Sequence, residues 1–128
     1  MAHGNFILDK GYNAAGALTK FYAVKYTAAE TVGPVTAITD QVAGFAQFGV
    51  TSAEILRGKG ASVRTEGVTE AVASAAITIG SMCSIAADGR VKAAATGERV
   101  VGKCVGHPAG AAGDRIALHI VSTGFLAP

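Results

Sequence analysis

The chain has 128 residues and a formal net charge of +2; half of its residues are hydrophobic, yet only 6% are aromatic, Trp is absent and Gly reaches 17. That length allows one domain with room for an arm, able to fold without disulfides or a metal, and its alanine-rich apolar fraction builds a core with few large anchors, so part of the stability is expected from association. The mild charge, with Arg57 and Lys59 as the densest basic cluster, argues against nucleic acid as a partner, and no apolar run approaches the roughly 18 residues of a spanning helix, so no membrane is expected either.

The opening MAHGNFILDKGYNAAG has neither a basic n-region nor a long apolar stretch, so no secretory signal is expected. Two cysteines make no disulfide framework, and a soluble protein made in a cytoplasm is the expectation. Residues 1–33 gather Phe6, Tyr12, Phe21, Tyr22 and Tyr26 among Gly4, Gly11 and Gly16 with weak periodicity. They are expected to form an extended N-terminal arm, with room for a first strand, that docks on its own core, a sister subunit or a partner. Within and after it, Ala23 to Thr27 and Pro34 to Thr39 carry the β-branched content of strands. Val42 to Val50 (VAGFAQFGV) is expected as another strand, with Gly44 marking a bulge or a close approach.

Only Thr51 to Leu56, with Thr51 or Ser52 as cap and Glu54 near the N-terminus, and Thr69 to Ala76 have the pattern of helical turns. Ala61 to Thr65 alternates apolar with polar residues. In ITIGSMCSIAADGRVKAAA, Asp88-Gly89 separates Met82 to Ala86 from Arg90 to Ala94, which predicts a hairpin with a type I′ turn. Arg115 to Val121 is the clearest strand, with Ile116, Leu118 and Ile120 alternating with Arg115, Ala117 and His119. Short strands at close spacing argue for an all-β fold, a small β-barrel or β-sandwich over residues 34–128. The stretch from Val42 to Gly67-Val68 and the stretch from Val101 to Gly124-Phe125 share a cadence of strand, small-residue loop, Gly, strand and Gly-apolar. That hints at two similar halves, too few units for a solenoid.

No combination of reactive residues makes a convincing centre. Cys83, Cys104, His107 and His119 lack the two close ligand pairs of a zinc site. Cys104, His107 and Asp114 are sequential neighbours on a strand and its turn, a poor arrangement for a nucleophile triad. RGKGAS (Arg57 to Ser62) puts Gly60 after Lys59 and a strand behind it, unlike a phosphate loop. GHPAGAAG (Gly106 to Gly113) leads into a strand, unlike a dinucleotide fingerprint. Glu66 and Glu70 would share a face only in a helix that Gly67 disfavours. Asp114 after Gly113 is a turn residue. No catalytic, cofactor-binding or metal-ligating residue is expected, and no cofactor.

The cadence of VVGKCVG, an Ala/Gly loop ending in Gly-Asp, and RIALHIV closing on Thr-Gly resembles the C-terminal part of small capsid decoration, or cement, proteins of tailed bacteriophages. ITIGSMCSIAADGRVKAAATGERVVG and VAGFAQFGVTSAEILRGKGASVRTEGV are similar in the same way, so the resemblance covers residues 34–124, while the arm of residues 1–33 departs from the shortest members. It implies a small β-barrel or sandwich without enzymatic activity, homotrimeric, made in a bacterial host cytoplasm and seated on the outer capsid surface of the virion. There it would bridge subunits of the major capsid (coat) protein. The contacts expected on that reading are Phe6, Ile7, Leu8 and Tyr12 of the arm, with Phe125 and Leu126 as a second apolar tag. Other classes remain: a tail-tube subunit, a carbohydrate- or cell-surface-binding module, for which residues 34–124 offer only Phe45 and Phe48 as aromatics, and a small hydrolase using Cys104 or Ser122.

Overall fold

The computed structural model describes residues 8–121 and residue 127. Along them run β1 (Leu8–Ala14), β2 (Ala23–Ala28), β3 (Thr31–Pro34), β4 (Val42–Ala46), a one-turn helix α1 (Ser52–Leu56), β5 (Ala61–Glu66), β6 (Val68–Val72), β7 (Met82–Ile85), β8 (Val91–Ala93), β9 (Gly102–Cys104) and β10 (Arg115–Ile120). The fold is all-β, as expected. Strands β1-β3-β2-β4-β5 form a closed barrel, and β6-β10-β9-β7-β8 form a second five-stranded sheet.

The expected arm is corrected over residues 8–33. β1 pairs antiparallel with β5 along Leu8 to Tyr12 and parallel with β3 at Asn13 and Ala14, so it closes the barrel. The expected boundary at residue 34 falls at the end of β3. Two of the arm's aromatics turn inward: Tyr12 sits with Leu18, Val24, Val32 and Val63 in the barrel's core, and Phe21 is buried as well.

Three local expectations also change. Pro34 ends β3, but the stretch from there to Thr39 leads into a turn instead of a further strand: Asp40 Oδ2 accepts hydrogen bonds from Thr36 N (2.8 Å) and Ala37 N (3.0 Å), a side-chain alternative to strand pairing. Thr69 to Ala76 is largely strand, because Thr69 and Ala71 point inward with a period of two while Val68 and Glu70 point out. At Asp88-Gly89 the hairpin is present, with β7 and β8 antiparallel. Its turn, however, has positive φ only at Gly89 (92°), with Gly89 N bonded to Ala86 O and Ala86 N to Arg90 O. That is a type I turn closed by a glycine bulge, which tolerates an ordinary Asp88 conformation. The helical turn at 52–56 forms as read. Thr51 Oγ1 accepts from Glu54 N, and Glu54 Oε1 accepts from Thr51 N. The Glu54 carboxyl is held down to about 2, first by its bond from Lys59 and then by the Thr51 N–H.

The hint of duplication extends to the whole described chain. Adding five to each strand number of the barrel gives β6-β8-β7-β9-β10, which is the order of the second sheet closed through β6 and β8. A parallel bridge between Ala73 and Val91 supplies that closure, matching Ala14 and Val32 of the barrel. Irregular features match too. The bridge Leu18–Val50 corresponds to Ile77–Ala109. Val24 opposite Gly44 corresponds to Cys83 opposite Gly102. Phe21 and Glu30, the non-glycine residues with positive φ (65° and 54°) among those described, stand where the second half has Gly80 and Gly89 (85° and 92°).

This equivalence makes a prediction. A left-handed non-glycine residue costs about 1.5 kcal/mol, whereas the exposed Lys10–Glu30 ion pair (3.2 Å) contributes about 0.3 kcal/mol. Glu30→Gly is therefore expected to raise stability by about 0.5 kcal/mol after the entropy of the added glycine, read as an upward shift of about 2 °C in thermal midpoint. A downward shift would show that the ion pair outweighs the strain.

The halves share a core. Ala23, Val35 and Phe45 of the first half pack with Ala71, Ile85, Ile116 and Leu118 of the second. Around this seam Ala23 N bonds Gly89 O (2.8 Å), Gln47 Nε2 donates to Thr69 Oγ1 (2.9 Å), and the Arg115 guanidinium lies 5.0 Å from the Phe21 ring centre.

Candidate interaction surfaces

The reactive residues are placed as structural parts. Cys83 and Cys104 are buried in the shared core and free; Cys104 Sγ donates to His107 O at 3.2 Å. Burial pushes the Cys83 thiol up to about 12, with Cys104 adding to it, and raises the Cys104 thiol too. His119 is exposed on β10, on the face opposite Ile116 and Leu118, and His107 is exposed in a loop. Among the described residues no three His, Cys, Asp or Glu side chains gather as metal ligands do. Asp114 Oδ2 accepts from Gly110 N and Ala111 N and so holds its loop. Lys59 of RGKG pairs with Glu54 at 2.8 Å. Both thiols are therefore expected to resist a thiol-reactive probe at pH 8 in the native protein and to react at once in denaturant; rapid modification of the native chain would contradict their burial.

Of the contact residues expected from the sequence, Phe6, Ile7, Phe125 and Leu126 lie outside the described residues. Leu8 begins β1 and is 44% exposed, whereas Tyr12 is 9% exposed in the barrel core. Tyr12 is thus corrected from a surface contact to a core residue whose edge meets the Tyr26 ring (centroids 6.1 Å, planes at 71°).

Two surfaces stand out that the sequence reading missed. The first follows from the duplication. Ala23, Phe45 and Gln47, on the outer side of β2 and β4, face the second half; their counterparts on β7 and β9 are Met82, Lys103 and Val105, all exposed. With Ile79 on the preceding turn, also exposed, they form a largely apolar face that the first half covers and the second half leaves bare. The second surface is a cleft of about 570 Å³ between the first barrel and the segment entering β9, lined among others by Lys10, Tyr12, Tyr26, Gln41, Glu66 and Arg99. They come from five separate stretches of chain, so no local motif announces it.

No protein family model matches this chain, and no curated protein matches it. Among solved structures, the N base of head fiber gp8.5 of bacteriophage phi29 superposes with a TM-score of 0.67 at 15% identity, over 94% of this chain and 98% of that one. The fold is similar to that of this head-fiber base. The match runs through both halves and includes the strands of residues 8–33, so the arrangement of two linked β units is common to both proteins.

Proposed function

We propose that the chain is a structural protein of a tailed-phage virion, without enzymatic activity, that binds the outer surface of the mature capsid. There, as a homotrimer, it bridges adjacent subunits of the major capsid protein. The observation that carries this reading is the likeness of fold over nearly the whole of both chains to a head-fiber base. The bare apolar face of Ile79, Met82 and Val105 supports it, since such a surface is suited to burial against a protein neighbour. Phe6, Ile7 and Leu8, with Phe125 and Leu126, remain the proposed contacts at the two ends of the chain. Binding the assembled shell and not its free subunits stabilises the shell by mass action, and a trimer multiplies weak contacts.

The test is co-sedimentation of the purified protein with cognate phage heads, expanded and unexpanded. Saturable binding to expanded heads alone is the expected result; no binding to either at micromolar concentration would remove the capsid from the account. The terminal contacts are tested by deleting residues 1–7, because β1 begins at Leu8 and a cut at residue 14 would remove a barrel strand. Full head binding by the shortened chain would clear the terminus of any part in it.

A further inference from the structure

The cleft between the barrel and the segment before β9 contains features the fold does not need, and the second half shows this directly. Tyr12 is paired with Ala61 across β1 and β5, and its counterpart Ala71 with Ile116 across β6 and β10. Tyr26 is paired with Val32, and its counterpart Ile85 with Val91. Ala71 and Ile85 are both buried, so small and aliphatic side chains satisfy the fold at these positions. The first half instead places two tyrosines there and leaves Tyr26 47% exposed.

The polar lining is equally specific. Among the described residues, the side chains of Gln41, Glu66 and Arg99 take part in none of the side-chain hydrogen bonds or ion pairs, while Lys10 is held by Glu30 at 3.2 Å and lies 5.0 Å from the Tyr12 ring centre. Convergent polar groups with spare hydrogen-bonding capacity around an aromatic surface mark a ligand site. Arg99 and Lys10 are balanced by Glu66 and Glu30, so the cleft has no surplus positive charge for a phosphate, and its polar lining does not suit a greasy ligand.

We propose that this cleft binds a neutral carbohydrate. One pyranose ring lays its C–H face on the exposed ring of Tyr26. Its hydroxyls meet Arg99, Glu66 and Gln41, whose planar ends pair with adjacent hydroxyls. The volume of about 570 Å³ lies within the range of small-molecule sites and accommodates a short oligosaccharide. This activity is distinct from the proposed capsid docking, whose named contacts share only Leu8 with the cleft.

The experiment is a titration of the full-length protein, followed by amide NMR, with four probes: maltotetraose, cellotetraose, a galactose tetrasaccharide and an N-acetylglucosamine tetrasaccharide. The expected result is saturable shifts at Gln41 to Gly44, Glu66 and Arg99 to Val101 with at least one of them. Tyr26→Ala and, independently, Arg99→Ala should weaken that binding about tenfold or more, as loss of a stacked ring or a charged donor does. Leu56→Ala, at a remote and exposed position, should leave it unchanged. Absence of saturable shifts in the cleft with all four sugars at about 10 mM, well above millimolar dissociation constants, would overturn the proposal. So would binding that survives both cleft substitutions. Head co-sedimentation by the same variants reads the capsid interaction separately.

Discussion

Phe45→Ala is expected to cost about 4 kcal/mol of folding free energy, the largest effect of any single truncation among the described residues. Phe45 is 0% exposed and, among the described residues, is the one aromatic in the cluster that joins the two halves. Its neighbours there are mostly Ala, Val and Cys, which have little reach with which to close a hole. A cavity left among short, branched side chains relaxes poorly, and that is the situation in which the cavity penalty adds fully to the lost transfer energy. Urea unfolding read by circular dichroism should show a lower midpoint with an unchanged slope, because backbone bonds such as Ala23 N to Gly89 O still tie the halves. A loss under about 2 kcal/mol would show that the halves close up without this ring. A second transition would show that Phe45 alone couples them. Leu56→Ala, on the exposed end of α1, should fall within about 0.5 kcal/mol of the natural chain.

What was legible in the sequence was local. The alternation of Ile116, Leu118 and Ile120, the Asp88-Gly89 turn and the Thr51–Glu54 cap each depend on residues a few positions apart, and each appears in the structure. The arm was misread because the partners that make β1 a strand are distant: Tyr12 pairs with Ala61, and Ala14 runs parallel to Val32. Gly11 in the middle of β1 also blurs its period of two. The duplication was visible but out of register. Its cadence set Gly44 opposite Lys103 and Gly60 opposite Gly113. The structure sets Gly44 opposite Gly102 and Ala61 opposite Ile116, the first half being longer between these points because it inserts α1 between β4 and β5. The hint compared only residues 42–68 with 101–125, so Tyr12 and Tyr26 were never set beside Ala71 and Ile85, and the cleft stayed hidden. Leu8 and Tyr12 were singled out for another role and line the cleft.

The register carries an expectation of its own: the same substitution at equivalent positions should do the same harm. A Cβ on Gly44 would overlap Arg64 O and approach Val63 Cγ1 to 2.7 Å; a Cβ on Gly102 would approach His119 O to 2.7 Å and Leu118 Cγ to 2.6 Å. In each case the obstacle includes the backbone of the neighbouring strand's equivalent residue, which cannot rotate aside as a side chain can. The strands must separate instead, at a cost in the pairing and packing of a whole barrel wall. Gly44→Ala and Gly102→Ala are each expected to cost about 3 kcal/mol, seen as a fall of roughly 10 °C in thermal midpoint. Gly11→Ala, where the added carbon meets nothing within 4 Å, serves as the control. Alanine exceeds glycine in strands by a few tenths of a kcal/mol, so that variant should hold or gain slightly. Since the two tight glycines sit in separate sheets, their costs should add to about 6 kcal/mol, comparable with the whole stability of many domains. The double variant is then expected to be largely unfolded at 37 °C. If Gly44→Ala were harmful and Gly102→Ala neutral, the second sheet, joined by a single β6–β8 bridge, would be yielding where the closed barrel cannot, and the halves would be alike in topology without being alike in rigidity.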